Sequence, residues 1–110
     1  MISTMRVSNR RVSTLAIHFR RGILKNGRSG GMCFAICTAL QGYLSFLGYE
    51  TEIVEGEVGD ANHIWLRLPD GNILDPTADQ FARPSGKSMP EVYIGVLPQW
   101  YQQIGKAQKR

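Results

Sequence analysis

The sequence has little of what staples a chain or carries it through a membrane. Its 110 residues include only two cysteines. Cys33 and Cys37 fall within one helical turn, a poor geometry for bridging each other, so no disulfide framework is expected and a reducing compartment is the simpler assumption. No apolar run approaches the roughly 18 residues of a membrane span, because Arg20, Arg21 and Lys25 interrupt the N-terminal half. The same interruptions leave no apolar core for a secretory signal, so the expected location is the cytoplasm, or the cytoplasm of a target cell after delivery. Residues 1–25, rich in Arg and Ser and free of acid, share the composition of an organellar transit peptide.

Acid is missing from residues 1–49, which carry seven bases: Arg6, Arg10, Arg11, Arg20, Arg21, Lys25 and Arg28. Residues 50–79 reverse the balance with eight acids against Arg67, and residues 80–110 carry five bases against Glu91. A basic block invites nucleic acid or an acidic protein as partner. Aromatic side chains that would stack on single-stranded bases are scarce there, since Phe19 alone precedes residue 34. Attraction between a basic helical half and an acidic half is a simpler account of the asymmetry. The length and the 43% hydrophobic content suit one domain, residues 1–110, with a core of its own.

Apolar spacing predicts a first helix near residues 9–25, with Gly22 as a weak point and Asn26-Gly27 as its stop. Residues 32–47 are apolar almost all round and predict a buried second helix ending at Gly48. From residue 51 the period changes to that of strands, predicted at 51–58, 63–68 and 73–76. Leu68-Pro69-Asp70-Gly71-Asn72 is a tight-turn signal between the last two. A loop over 79–90, a strand over 91–97, a short helix from Pro98 through Tyr101 and Ile104, and a frayed tail from Lys106 complete an α+β pattern of helices on a small antiparallel sheet.

The chemistry concentrates at three residues. Cys33 opens the second helix behind Gly30-Gly31, where the helix N-terminus favours a thiolate and offers N–H groups to an oxyanion. A three-residue loop at Pro69-Asp70-Gly71 pairs Leu68 with Asn72 and places Trp65 opposite Asp75. His63, Trp65, Arg67, Ile73 and Asp75 then share one sheet face, with His63 a diagonal neighbour of Asp75. In that arrangement Asp75 orients the imidazole, His63 takes the proton of Cys33, and the sulfur attacks an acyl carbon.

The segment Gly31-Met32-Cys33-Phe34-Ala35 resembles the nucleophile motif of papain-like cysteine proteases. The order Cys33, His63, Asp75 and the stretch from Asn62 to Phe81 resemble the transglutaminase-like branch of that superfamily. That branch includes arylamine N-acetyltransferases, bacterial protein glutamine deamidases and small bacterial and phage proteins. The resemblance covers about residues 28–81. It implies a papain-like or transglutaminase-like core and a Cys33–His63–Asp75 triad that hydrolyses or transfers an acyl group from an amide or thioester, without cofactor or metal. Papain-like peptidases carry a glutamine shortly before the cysteine, where this chain has Arg28, Ser29 and Gly30. That departure favours deamidation or acyl transfer over proteolysis.

Blander readings stand beside this one. Cys33 alone would be a small core residue, His63 a structural strand histidine and Asp75 a turn residue before Pro76. A zinc site from Cys33, Cys37, His63 and Asp75 has suitable ligand types but lacks the close pairs that zinc loops supply. Residues 27–31 lack the strand and lysine of a phosphate-binding loop. Trp65 shields the His–Asp pair or only packs, Gln80 holds the loop after Asp75 or lies on the surface, and His18 is structural. A non-catalytic basic module, or an effector that keeps only the fold, is the competing function.

Overall fold

A computed structural model describes residues 2–24 and 31–109, and side chains from residue 10 onward within them. Helix α1 spans Ile2–Leu24 and helix α2 spans Cys33–Phe46. The six strands are β1 (Glu52–Val58), β2 (Ala61–Arg67), β3 (Ile73–Asp75), β4 (Tyr93–Gly95), β5 (Tyr101–Gln103) and β6 (Gln108–Lys109). The described residues thus form an α+β fold of two helices and a six-stranded antiparallel sheet. The predicted stop at Asn26-Gly27 and the 28–30 part of the loop before Cys33 lie outside the described residues.

Helix α1 starts seven residues before the predicted position 9. Neither proline nor glycine occurs before Gly22, so nothing in the chain interrupts the helix there. Helix α2 ends near its predicted limit, where Gly48 takes φ 94° and Tyr49 N–H donates to Leu44 O at 2.8 Å. It is not buried all round: Phe34 and Phe46 are 64% and 87% exposed. An apolar stretch therefore overstated its burial, because only one stripe of α2 meets the sheet.

Strands β1 to β4 form a meander in the order β4-β3-β2-β1, and β5 and β6 both pair with the remaining edge of β1. The expected C-terminal helix and frayed tail are therefore corrected to strands. Tyr101 pairs with Val58 and Gln108 with Ile53, while Ile104 and Gly105 N–H groups both reach Glu55 O between them. The unpaired edge of β1 supplies the backbone partners that a short isolated helix would have to find in water. The predicted loop 79–90 contains one 3₁₀ turn, Ala78–Gln80, and a bridge between Ala82 and Ser88. The predicted strand at 91–97 shortens to β4.

The two sheet faces bury different cores. Val12 and Ala16 of α1 and Cys37, Leu40 and Leu44 of α2 pack on Leu66, Leu68 and Leu74. On the other face Val54, Val58, Trp65, Ile73, Met89 and Tyr101 cluster beneath the segment after β3. Gly56 is required on that face, because a Cβ there would lie 2.2 Å from Gln102 O and 2.3 Å from the Trp65 ring.

Two arginines of the basic block work inside the fold. Arg20 is buried and binds the Asp79 carboxylate and the carbonyls of Pro76 and Glu91. Arg21 pairs with Glu91 at 2.7 Å in the open. Helix α1 is thereby fastened to the segment that follows β3, joining the basic first block to acids further along the chain.

Removing Arg20 takes a buried guanidinium away from the half-buried Asp79 carboxylate and from two carbonyls. Arg20→Leu is expected to lower unfolding stability in urea by about 3 kcal/mol, whereas Arg21→Leu, at an exposed pair, leaves the urea midpoint close to wild type. Gly56→Ala is expected to destabilise by about 2 kcal/mol or more in the same experiment, since the clash is with backbone and a buried indole.

Candidate active site

The turn after β2 decides which side chains meet. Leu68 N–H donates to Asn72 O at 2.8 Å and Gly71 N–H to Leu68 O at 2.9 Å, with Gly71 at φ 90°. The loop is therefore Pro69–Gly71, three residues long, and Leu66 pairs with Leu74 and Arg67 with Ile73. This is the register the turn chemistry predicts, and it puts His63 and Asp75 on one face.

The two side chains are fully buried, and His63 Nε2 lies 2.7 Å from Asp75 Oδ2. The carboxylate accepts three further hydrogen bonds. Tyr101 Oη donates to the same Oδ2 at 2.6 Å, and Thr77 donates its N–H at 3.0 Å and its hydroxyl at 3.3 Å to Oδ1. With every neighbour donating to the carboxylate, Nε2 carries an imidazole hydrogen, and in the neutral ring Nδ1 keeps the lone pair. Gln80 Nε2 approaches that nitrogen at 3.5 Å and donates to Thr77 Oγ1 at 3.0 Å. Gln80 is thus partly exposed and turned toward the histidine and the loop after Asp75.

Aromatic rings close around the imidazole. Phe81 meets it edge-on at 4.7 Å between centroids, Tyr101 at 5.9 Å and Trp65 at 6.0 Å. Trp65 both packs in the lower core and walls the pair, so its two readings are one. These rings exclude water and strengthen the electrostatics inside.

Cys33 is the first residue of α2 and is partly exposed, while Cys37 is buried. Cys37 Sγ donates to Ile64 O at 3.4 Å, and Gln41 one turn later donates to Thr51 O at 3.1 Å. Thr51 adjoins Glu52, the partner of Arg67, so α2 runs in the direction of β2. One turn back from Cys37 is about 6 Å along the helix, close to two residues of strand. Cys33 therefore stands level with Asn62 and His63, at the end of β2. It lies on the helix-covered side, whereas the His63 side chain points to the aromatic side. Among the described residues no hydrogen bond joins Cys33 to His63.

The first N–H groups of α2 have no partner within the helix, and Met32 supplies no side-chain cap. The structure thus assembles His63 and Asp75 as one bonded pair and adds Gln80, Thr77 and Tyr101, while Cys33 opens α2 on the other sheet face. Among the described residues no group of three or more His, Cys, Asp or Glu side chains is placed to hold a metal ion. No helix among them is long and apolar enough to cross a membrane.

Tyr101 is the site residue that sequence reasoning missed, because it comes from the region read as a helix. Burial first, then the Asp75 charge and hydrogen bond, push its phenol well above the ordinary 10.0. Cys37 is likewise pushed well above 9.0, by burial and then by Asp75 and Cys33. Tyr101 is expected to stay silent in an alkaline titration followed at 295 nm while the native fold persists, and Asp75→Asn should bring its ionisation to lower pH. Since the unfolded chain ionises this tyrosine first, its contribution to stability is lost as pH rises above about 10. Native Cys37 is expected to resist alkylation up to about pH 9.

The chain gave no match to any protein-family model, curated protein or solved structure, so its functional reading rests on the geometry of these residues.

Proposed function

We propose that this protein is a thiol enzyme, an amide hydrolase or acyltransferase, that works through a thioester on Cys33 with His63 as base and Asp75 as the residue that orients it. The observation that carries the reading is the buried His63–Asp75 pair, 2.7 Å apart, whose geometry leaves Nδ1 as the one basic nitrogen of the ring. A buried imidazole with a carboxylate on one nitrogen and a lone pair on the other is what proton transfer from a thiol requires. Cys33, the first residue of α2, is the nucleophile we assign to it, and its thiol would reach Nδ1 from the other sheet face, past the end of β2.

In the reaction the Cys33 proton passes to Nδ1 and the sulfur attacks the acyl carbon. The C–S bond forms and the oxyanion is met by the free N–H groups of α2. The imidazolium then protonates the departing amine as the C–N bond breaks. Water or a second amine, deprotonated by the same nitrogen, cleaves the thioester. The α+β architecture, with a cysteine-bearing helix beside a His–Asp hairpin, supports a papain-like or transglutaminase-like core. Transfer or deamidation at a small or side-chain amide is favoured over peptide cleavage, because no glutamine stands shortly before Cys33, where papain-like peptidases carry one.

Iodoacetamide tests the reading directly. Between about pH 4 and pH 9, Cys33 is expected to be alkylated at least about tenfold faster than Cys37, with the excess lost in His63→Ala. Slow and equal labelling of the two cysteines, or a rate indifferent to His63→Ala, would falsify the assignment.

A further inference from the structure

Four side chains at the site form a closed circuit of hydrogen bonds. Asp75 Oδ2 accepts from His63 Nε2, His63 Nδ1 faces Gln80 Nε2, Gln80 donates to Thr77 Oγ1, and Thr77 returns its hydroxyl to Asp75 Oδ1. The direction of each bond is set by the carboxylate, which only accepts. Hence Nε2 donates, and in the neutral ring Nδ1 accepts and Gln80 presents an N–H to it.

The circuit is tight on one side of the imidazole and loose on the other. The Asp75 contact is 2.7 Å, whereas the Gln80 contact is 3.5 Å, well beyond the usual 2.9–3.0 Å for N–H donors. The ring is anchored at Nε2 and lightly held at Nδ1. Gln80 is also partly exposed where His63 and Asp75 are buried, so its amide has somewhere to turn. It stands on the only ring nitrogen able to take a thiol proton.

We propose that Gln80 is a positioning residue for the reaction, its amide holding His63 Nδ1 in the resting protein and yielding that nitrogen to the Cys33 thiol. The inference rests on the thiol-enzyme reading above. When the proton leaves Cys33 Sγ it fills the Nδ1 lone pair, giving thiolate and imidazolium. Nδ1 then has nothing to accept with, so the Gln80 N–H loses that partner and keeps Thr77. The amide therefore favours the neutral ring and resists premature formation of the ion pair.

Gln80→Met, which keeps bulk and removes the donor, separates this role from packing. Two measurements on the full chain are needed: the ¹⁵N resonance of His63 Nδ1, and the rate of Cys33 alkylation near neutral pH. The variant is expected to move the Nδ1 resonance to lower field, as loss of an accepted hydrogen bond does, and to raise the Cys33 rate roughly fivefold, the worth of one modest hydrogen bond. An unmoved Nδ1 resonance overturns the proposal, and so does an unchanged or slower Cys33 rate. A wild-type Cys33 rate indifferent to His63→Ala sinks the thiol-enzyme reading and the exchange with it. A rate that depends on His63 but not on Gln80 sinks the exchange alone.

Discussion

A carboxylate removed from water must find its solvation inside the protein, and at Asp75 four donors replace it. They come from β2, from β5 and from the turn that follows β3, so a single acidic side chain binds three separate segments. Shifting any of them leaves a buried acceptor short of a partner, at about 1–3 kcal/mol each. The surrounding rings of Phe81, Trp65 and Tyr101 lower the local dielectric, which strengthens each bond and raises the penalty for losing one. His63 is oriented as a consequence, with Nδ1 left as the nitrogen that accepts.

The rest of the fold can be understood as what keeps those donors in place. Tyr101 reaches Asp75 from beyond β1 because β5 pairs along β1 and Gly56 leaves the Trp65 ring room against the backbone. Buried under α1, Arg20 grips Pro76 O and Asp79, the residues that bracket Thr77. An arginine on α1 thereby steadies the turn on which two of the four donors lie. Helix α2 contributes differently, by direction: it runs along β2 and brings Cys33 to the end where His63 stands.

Some of this was legible in the residues. Register followed from Pro69-Asp70-Gly71, because a turn type is a local property and a side-chain period of two carries its consequence along both strands. The position of Cys33 at a helix start was equally local. Tyr101 and Ile104 misled, since a spacing of three fits one helical turn as well as it fits a strand with a bulge, and no nearby residue decides between them. Arg20 and Arg21 are adjacent and chemically identical, yet one is buried and the other is in solvent. Gln80 could not be assigned, because its role depends on a histidine seventeen residues earlier.

By itself, then, the sequence determined the helix-to-strand order, the hairpin register and the shared face of His63 and Asp75, all consequences of short-range backbone and turn chemistry. Only the tertiary structure decided that the C-terminal chain completes the sheet, that Tyr101 joins Asp75, that Arg20 is an internal clamp and that Gln80 faces Nδ1. Those contacts join residues far apart in the chain, and the competition that settles them, an unpaired strand edge or a buried charge seeking donors, exists only once the elements have packed.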